Sequence, residues 1–196
     1  MQDLISRRPA MYSRAMADII EYTPSSAMEV GRRLRRGEVG IIPCDTIYGL
    51  CAHADSRNAE RLYEIKKRPA SKSFITLMTK EQISERGFDV PEDILSIWPA
   101  PLTAVLPDGE GGTIAVRVPD DGYLLSLLPV SGPIFSTSVN LSGESSLLTY
   151  DEIIPVFGES VDFIVRDIEA GGSVASTLID ATVKPYKVIR QGACII

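Results

Sequence analysis

The sequence predicts an α/β sandwich built on one twisted, mixed β-sheet. Three observations lead there. Segments with strand and helix patterning follow one another without the strict βαβ alternation of a doubly wound sheet. The 196 residues are 44% hydrophobic, enough for one sizeable core in a single domain. Neither nucleotide-fold signature is present: there is no GxxxxGK[ST] loop, and no GxGxxG follows a strand.

Residues 1–22 read as an N-terminal arm, either poorly ordered or a helix docked on the body. They carry no long apolar core with a small-residue cleavage site. Residues 23–196 form the domain. "TPSSAMEVGRRLRRG" opens with Thr23 and Pro24 as a cap and first helical residue, and stops at Gly37. Ala27, Val30 and Leu34 share one helical face. "EVGIIP" is a buried strand and "CDTIYGL" a loop. Asp55 or Ser56 caps a helix through "RNAERLYEIKK". "SFITLMT" is a strand, and "KEQISERG" and "PEDILSIW" are short helices. "PLTAVLP" and "TIAVRVP" are strands joined by the turn "DGEGG". "DGYLLSLLP" is a helix, "PIFSTSV" a strand and "TYDEIIPVFG" a helix; "VDFIV", "STLIDA" and "YKVIR" are late strands.

The net charge is −6, which argues against broad phosphate-backbone binding. Yet Lys66, Lys67, Arg68 and Lys72 crowd one stretch. A helix dipole accounts for Lys66 and Lys67 at a C-terminus, at about 0.3–1 kcal/mol, but Arg68 and Lys72 lie past the helix. Arg117 stands in an otherwise apolar strand, on the face of Ala115. Ser136, Ser138 and Asn140 project to one side if their strand continues, and Arg190 ends the last strand. Hydroxyl clusters more often make turns and caps. Guanidiniums and short hydroxyls converging from several strands suit a ligand with phosphate and carboxylate groups.

The cysteines Cys44, Cys51 and Cys194 are odd in number and lack CxxC spacing, so they read as buried and reduced, which suits the cytoplasm. Cys51-x-His53 has no second pair to complete a zinc site, and no metal site is expected. No apolar run nears the ~20 residues that span a bilayer. With one histidine and no GxSxG elbow, a Ser-His-Asp triad is not expected.

Taken in order, "PCDTIYGLCAHA", "YEIKKRPASKSF", "WPAPLTAVL", "TIAVRVP", "STSVNLSG", "ASTLID" and "VIRQG" resemble the motifs of the YrdC-like family, from about residue 25 to 194. This family comprises the threonylcarbamoyl-AMP synthases and divergent YciO-type members. The resemblance implies a YrdC-like α/β sandwich with a large, electropositive concave cavity. It implies synthesis of threonylcarbamoyl-adenylate and pyrophosphate from L-threonine, bicarbonate and ATP with Mg²⁺. A threonylcarbamoyl transferase complex then modifies tRNA.

Carried over by motif, Lys66, Arg68 and Lys72 hold the phosphates and serve as the catalytic cations. Thr113, Ser138, Asn140, Ser146 and Arg190 touch the nucleotide, together with Arg68 and Lys72. Thr46, Arg117, Ser136 and Ser176 bind threonine or its carbamate. The sequence departs from the family at Cys44, where a threonine is usual, at Leu77, where a histidine near the amino acid is frequent, and at "SVN" in place of "SAN". Two alternatives stay open: a paralogue that binds double-stranded RNA or tRNA, and one that binds a nucleotide without turning it over.

Overall fold

The computed structural model describes residues 15–70, 73–167 and 174–196. Its strands are β1 (Asp18–Glu21), β2 (Val39–Ile42), β3 (Gly49–His53), β4 (Ile75–Leu77), β5 (Leu102–Pro107), β6 (Thr113–Arg117), β7 (Ile134–Ser138), β8 (Phe163–Arg166), β9 (Thr177–Asp180) and β10 (Lys187–Arg190). Its helices are α1 (Ser26–Arg35), α2 (Ser56–Lys66), α3 (Lys80–Glu85), α4 (Glu92–Ile97), α5 (Gly122–Ser131) and α6 (Tyr150–Phe157). All ten strands join one sheet in the order β1-β8-β2-β3-β7-β4-β6-β5-β9-β10. β1/β8, β2/β8, β4/β6 and β5/β9 pair in parallel, and the other neighbours antiparallel, so the sheet is mixed as the sequence predicts.

Local signals account for the helix starts. Asp55 accepts from the Asn58 amide at the head of α2, and Asp121 accepts from Leu124 at α5. Thr79/Gln82 and Thr149/Glu152 form capping boxes on α3 and α6. Asp108 folds the turn between β5 and β6 by accepting from Glu110 and Gly112.

Two strands depart from the sequence reading. β3 occupies part of the stretch read as a loop, and β1 lies within the stretch read as an arm. Residues 1–14 fall outside the described part.

Alternation along β2 separates the layers. Val39 and Ile41 join the cluster that holds Leu62 of α2 with Ile153 and Phe157 of α6. Ile42 joins the cluster of Ala27, Val30 and Leu34 of α1 with Leu124, Leu127 and Leu128 of α5. A third cluster packs α3 and α4, through Ile83 and Ile94, under Leu102, Ala104, Leu106 and Val116. Among the described residues no helix is long and apolar enough to cross a membrane.

Strand register carries one face of the sheet toward the site. Gly49, Cys51, Ser136, Ser138, Ile75, Leu77, Ala115 and Arg117 share it through the pairings of β3, β7, β4 and β6. Where α1 and α5 cover this face it is apolar, at Cys51, Leu77 and Ile134. At Gly49, Ser136, Ser138 and Arg117 it opens into a pocket.

Candidate functional site

The pocket measures about 210 Å³. The β2–β3 loop supplies Thr46 and Tyr48, the stretch after α2 supplies Arg68 and Phe74, and β7 supplies Ser136, Thr137 and Ser138. Arg117 comes from β6, Ser176 from just before β9, and Arg190 from β10. Seven side chains singled out in the sequence therefore meet here: Thr46, Arg68, Arg117, Ser136, Ser138, Ser176 and Arg190.

Arg117 is the most deeply set of the three cations that line the pocket, 3% exposed. It pairs with Asp45 at 3.0 Å and donates to the Thr46 hydroxyl at 3.4 Å. Asp45 also accepts from the Asp120 amide at 3.2 Å. Burial pushes the Asp45 carboxyl up, against the opposing pull of Arg117 and that amide. Arg68 donates to Thr137 at 3.3 Å and to the Ser73 carbonyl at 3.0 Å, and lies over the Phe74 ring. Arg190 donates to the Ser176 carbonyl at 2.8 Å, and the Ser176 hydroxyl meets Thr103 at 2.9 Å.

Burial pulls Arg68 and Arg190 below the usual guanidinium value, with Arg117 adding to the effect at Arg190. All three remain cations, because guanidinium does not deprotonate in proteins. The Nε atoms of Arg68 and Arg117 are buried with no hydrogen-bond acceptor among the described residues. Each such donor costs about 1–3 kcal/mol until something accepts from it.

Gly49 is required by close approach. A Cβ there would lie 2.7 Å from Ser136 Oγ, 2.9 Å from Cys44 Sγ and 3.1 Å from Cys51 Sγ. Cys51 is fully buried and both thiols are free. His53 is engaged elsewhere, its Nδ1 2.8 Å from the Ser131 carbonyl. Among the described residues no group of three or more His, Cys, Asp or Glu side chains is arranged around a cation site.

The other residues singled out in the sequence stand elsewhere in the structure. Lys66 does not line the pocket. Its ammonium donates to the Ser138 carbonyl and to Asn140 O and Oδ1 at 2.9 and 2.7 Å, so its three N–H groups are taken. Asn140 bonds Lys66, Ser138 and the Glu144 carbonyl and stands outside the lining. Thr113, exposed at the head of β6, and Ser146 are also outside it. Lys72 lies outside the described residues.

Sequence reasoning missed Asp45, Thr137 and Thr103. The signal for Asp45 was available: a buried arginine requires a counter-charge, and "CDT" sits in the loop that follows a buried strand.

Comparison with known proteins places this geometry. A family model described as "Telomere recombination" (Sua5_yciO_yrdC) matches residues 32–192. A threonylcarbamoyl-AMP synthase of Pyrococcus abyssi is 34% identical over 175 residues, covering 81% of this chain and 52% of the relative. One of Vibrio cholerae is 32% identical over 185 residues, covering 81% and 93%. The crystal structure of P. abyssi Sua5 complexed with L-threonine superposes with a TM-score of 0.79 at 29% identity, covering 91% of this chain and 58% of that one. The chain thus spans about half the length of the archaeal relative and nearly all of the bacterial one. With the fold, the motif order and the family match in agreement, the chain belongs to the Sua5/YciO/YrdC family.

Proposed function

We propose that this chain makes threonylcarbamoyl-adenylate and pyrophosphate from L-threonine, bicarbonate and ATP, and that a threonylcarbamoyl transferase complex passes the product to tRNA. One observation carries the reading. Arg68, Arg117 and Arg190 converge on one pocket, with Asp45 as the only carboxylate paired to any of them among the described residues, and two guanidinium Nε atoms await acceptors. The pocket therefore favours a ligand bearing several negative groups.

In this reading Arg117, with Thr46 and Ser176, takes the carboxylate end of the amino acid. Arg68 and Arg190 take the phosphates, with Ser136 donating along the wall and Ser138, whose hydrogen goes to Asn140 Oδ1, standing beside it. Threonine and bicarbonate first give the carbamate and water. A carbamate oxygen then attacks the α-phosphorus, and the bond to the pyrophosphate oxygen breaks. Two anions must be brought together, and fixed cations offset that repulsion while holding the reactants in line. No protein nucleophile is required. Mg²⁺ would arrive on the triphosphate, which suits a metal that keeps its waters and binds through substrate phosphates.

The test is pyrophosphate release with ATP, bicarbonate and threonine, with each omitted in turn. Release that needs all three supports the reading; none at any threonine concentration overturns it. A second reading, a nucleotide-binding paralogue that does not turn ATP over, draws on Leu77. This fully buried side chain puts no hydrogen-bond donor on the face it shares with Arg117. ATP binding by calorimetry without pyrophosphate release is its signature.

A further inference from the structure

We infer that Lys66 is a positioning residue, clamping the end of β7 and the loop after it against α2 so that Arg68 and Ser138 face the pocket in a fixed arrangement. The inference rests on the nucleotide-binding reading above.

Lys66 is 2% exposed at the last turn of α2. An ammonium has three N–H donors. Here they go to the Ser138 carbonyl, the Asn140 carbonyl at 2.9 Å and Asn140 Oδ1 at 2.7 Å. The Lys66 carbonyl in turn accepts from the Ser142 amide at 2.9 Å. Residues 138–142 are thus bound to one lysine at both its ends. Ser138 closes the arrangement by donating to Asn140 Oδ1 at 2.7 Å.

All these acceptors are neutral. A cation buried for electrostatic pairing has a carboxylate partner, as Arg117 has in Asp45; Lys66 has carbonyls. It also has no N–H left for a phosphate. Two residues later the chain delivers Arg68 to the pocket, after Lys67 turns it in the left-handed region at φ 50°. Ser138, whose carbonyl Lys66 holds, lines the same pocket. One side chain therefore sets the relation between a guanidinium on one wall and a hydroxyl on another. Burial, with a smaller push from Arg68, lowers the Lys66 amine to about 8, as expected of an ammonium with no anion beside it.

The experiment is a double-mutant cycle on Mg-ATP affinity by calorimetry, using the full chain. Lys66→Met should weaken binding about 10–100-fold in the wild-type background but no more than about threefold beside Arg68→Ala, because it acts through a group already removed. Costs that simply add would mean that Lys66 does not act through Arg68, and would overturn the inference.

A second measurement needs no variant, should Lys66→Met fail to fold. Wild-type protein is treated with acetic anhydride at pH 8.5, and modified lysines are read by mass spectrometry. An amine so easily deprotonated is highly reactive if reagent can reach it. Lys66 should stay unmodified with and without ATP. Modification in the empty protein that ATP prevents would place the amine in the pocket and overturn the inference. Wild-type protein that binds no ATP defeats the functional reading and this inference with it; additive costs in a protein that binds ATP defeat the inference alone.

Discussion

Arg117 and Asp45 pair at 3.0 Å with side chains only 4% and 2% exposed. Arg117 lines the pocket and Asp45 does not, so the guanidinium has its carboxylate behind it and space for a ligand in front. Asp45→Asn would leave that guanidinium buried without its counter-charge. Removing one partner of a buried pair costs about 3–5 kcal/mol. The expected result is a loss of that order in urea unfolding. Part of it should be regained in saturating phosphate or substrate, since an anion can stand in for the carboxylate. A variant as stable as wild type, with no added response to anions, would contradict this account.

Gly192 presses against the stretch that carries Ser176. A Cβ there would lie 2.2 Å from the Ala175 carbonyl oxygen and 2.5 Å from the Ser176 carbonyl carbon, both backbone atoms. The Gly192 amide also donates to Thr177 at 2.9 Å. Gly192→Ala must therefore push residues 175–176 out of place. Overpacking of this kind costs about 1–3 kcal/mol. The larger effect should fall on the site, because Arg190 is anchored on the Ser176 carbonyl. We expect a folded protein by circular dichroism whose apparent Michaelis constants for threonine and ATP both rise.

Arg68 reaches the pocket from the stretch after α2 and Arg190 from the edge strand β10, and neither is paired to a carboxylate among the described residues. Arg68→Ala and Arg190→Ala should each weaken ATP binding by about 1.5–3 kcal/mol, the value of a charge-assisted hydrogen bond. Their melting temperatures should change little. Calorimetry that finds ATP affinity unaltered in both variants removes the phosphate assignment.

The order of strands and helices was legible because most elements carry local signals. Capping residues mark α2, α3, α5 and α6, and alternation marks the serines of β7. β3 was missed because Gly-Leu-Cys-Ala-His is buried at four successive positions, which erases the alternation by which a half-buried strand is recognised. β1 is a mostly exposed edge strand of four residues whose place depends on β8, nearly 150 positions away. The site's cations were legible as charges out of place in an acidic chain. Their division of labour was not. Whether a lysine tip meets a phosphate or a carbonyl depends on where the loop after β7 passes, and no local pattern around Lys66 records that.

Lys66 also yields a pH prediction. In the folded protein its amine loses the proton near pH 8, against an ordinary value of 10.5 in the unfolded chain. Below pH 8 both states are protonated, and burial of the ammonium counts in full against the fold. Between 8 and 10.5 the unfolded chain holds the extra proton, so rising pH favours the folded state through this group. Lys66→Met removes the term. The stability of wild type relative to Lys66→Met should therefore increase from pH 7 to pH 10, by on the order of 1–3 kcal/mol. Taking the difference between the two proteins cancels the tyrosines, which titrate in both. A difference that is flat or falls with pH would show that the amine is not depressed.

Leu77 is where the family resemblance and the packing pull apart. The resemblance places a histidine near the amino acid at this position and suggests that Leu77→His would tighten threonine binding. In the structure Leu77 is fully buried with Ile42, Cys51, Leu124, Leu127 and Ile134, yet it shares a sheet face with Arg117, its register partner. An imidazole there gives up packing against α5 and must find a hydrogen-bond partner or go without. The first effect of Leu77→His should therefore be a loss of about 1–3 kcal/mol in stability. Its second effect depends on which way the ring turns. Toward Arg117 it approaches the amino-acid end of the pocket, and threonine should then raise the melting temperature of the variant more than that of wild type. Toward α5 it turns into a mostly aliphatic cluster, and threonine should shift both proteins equally. We expect the first, because the pocket side offers polar groups at Arg117 and Thr46, while the one α5 hydroxyl in that cluster, on Tyr123, is already bonded to Ser26. Thermal shifts over a threonine titration, run on both proteins, decide between the two. Equal shifts would mean that the face bearing Leu77 is closed to the amino acid.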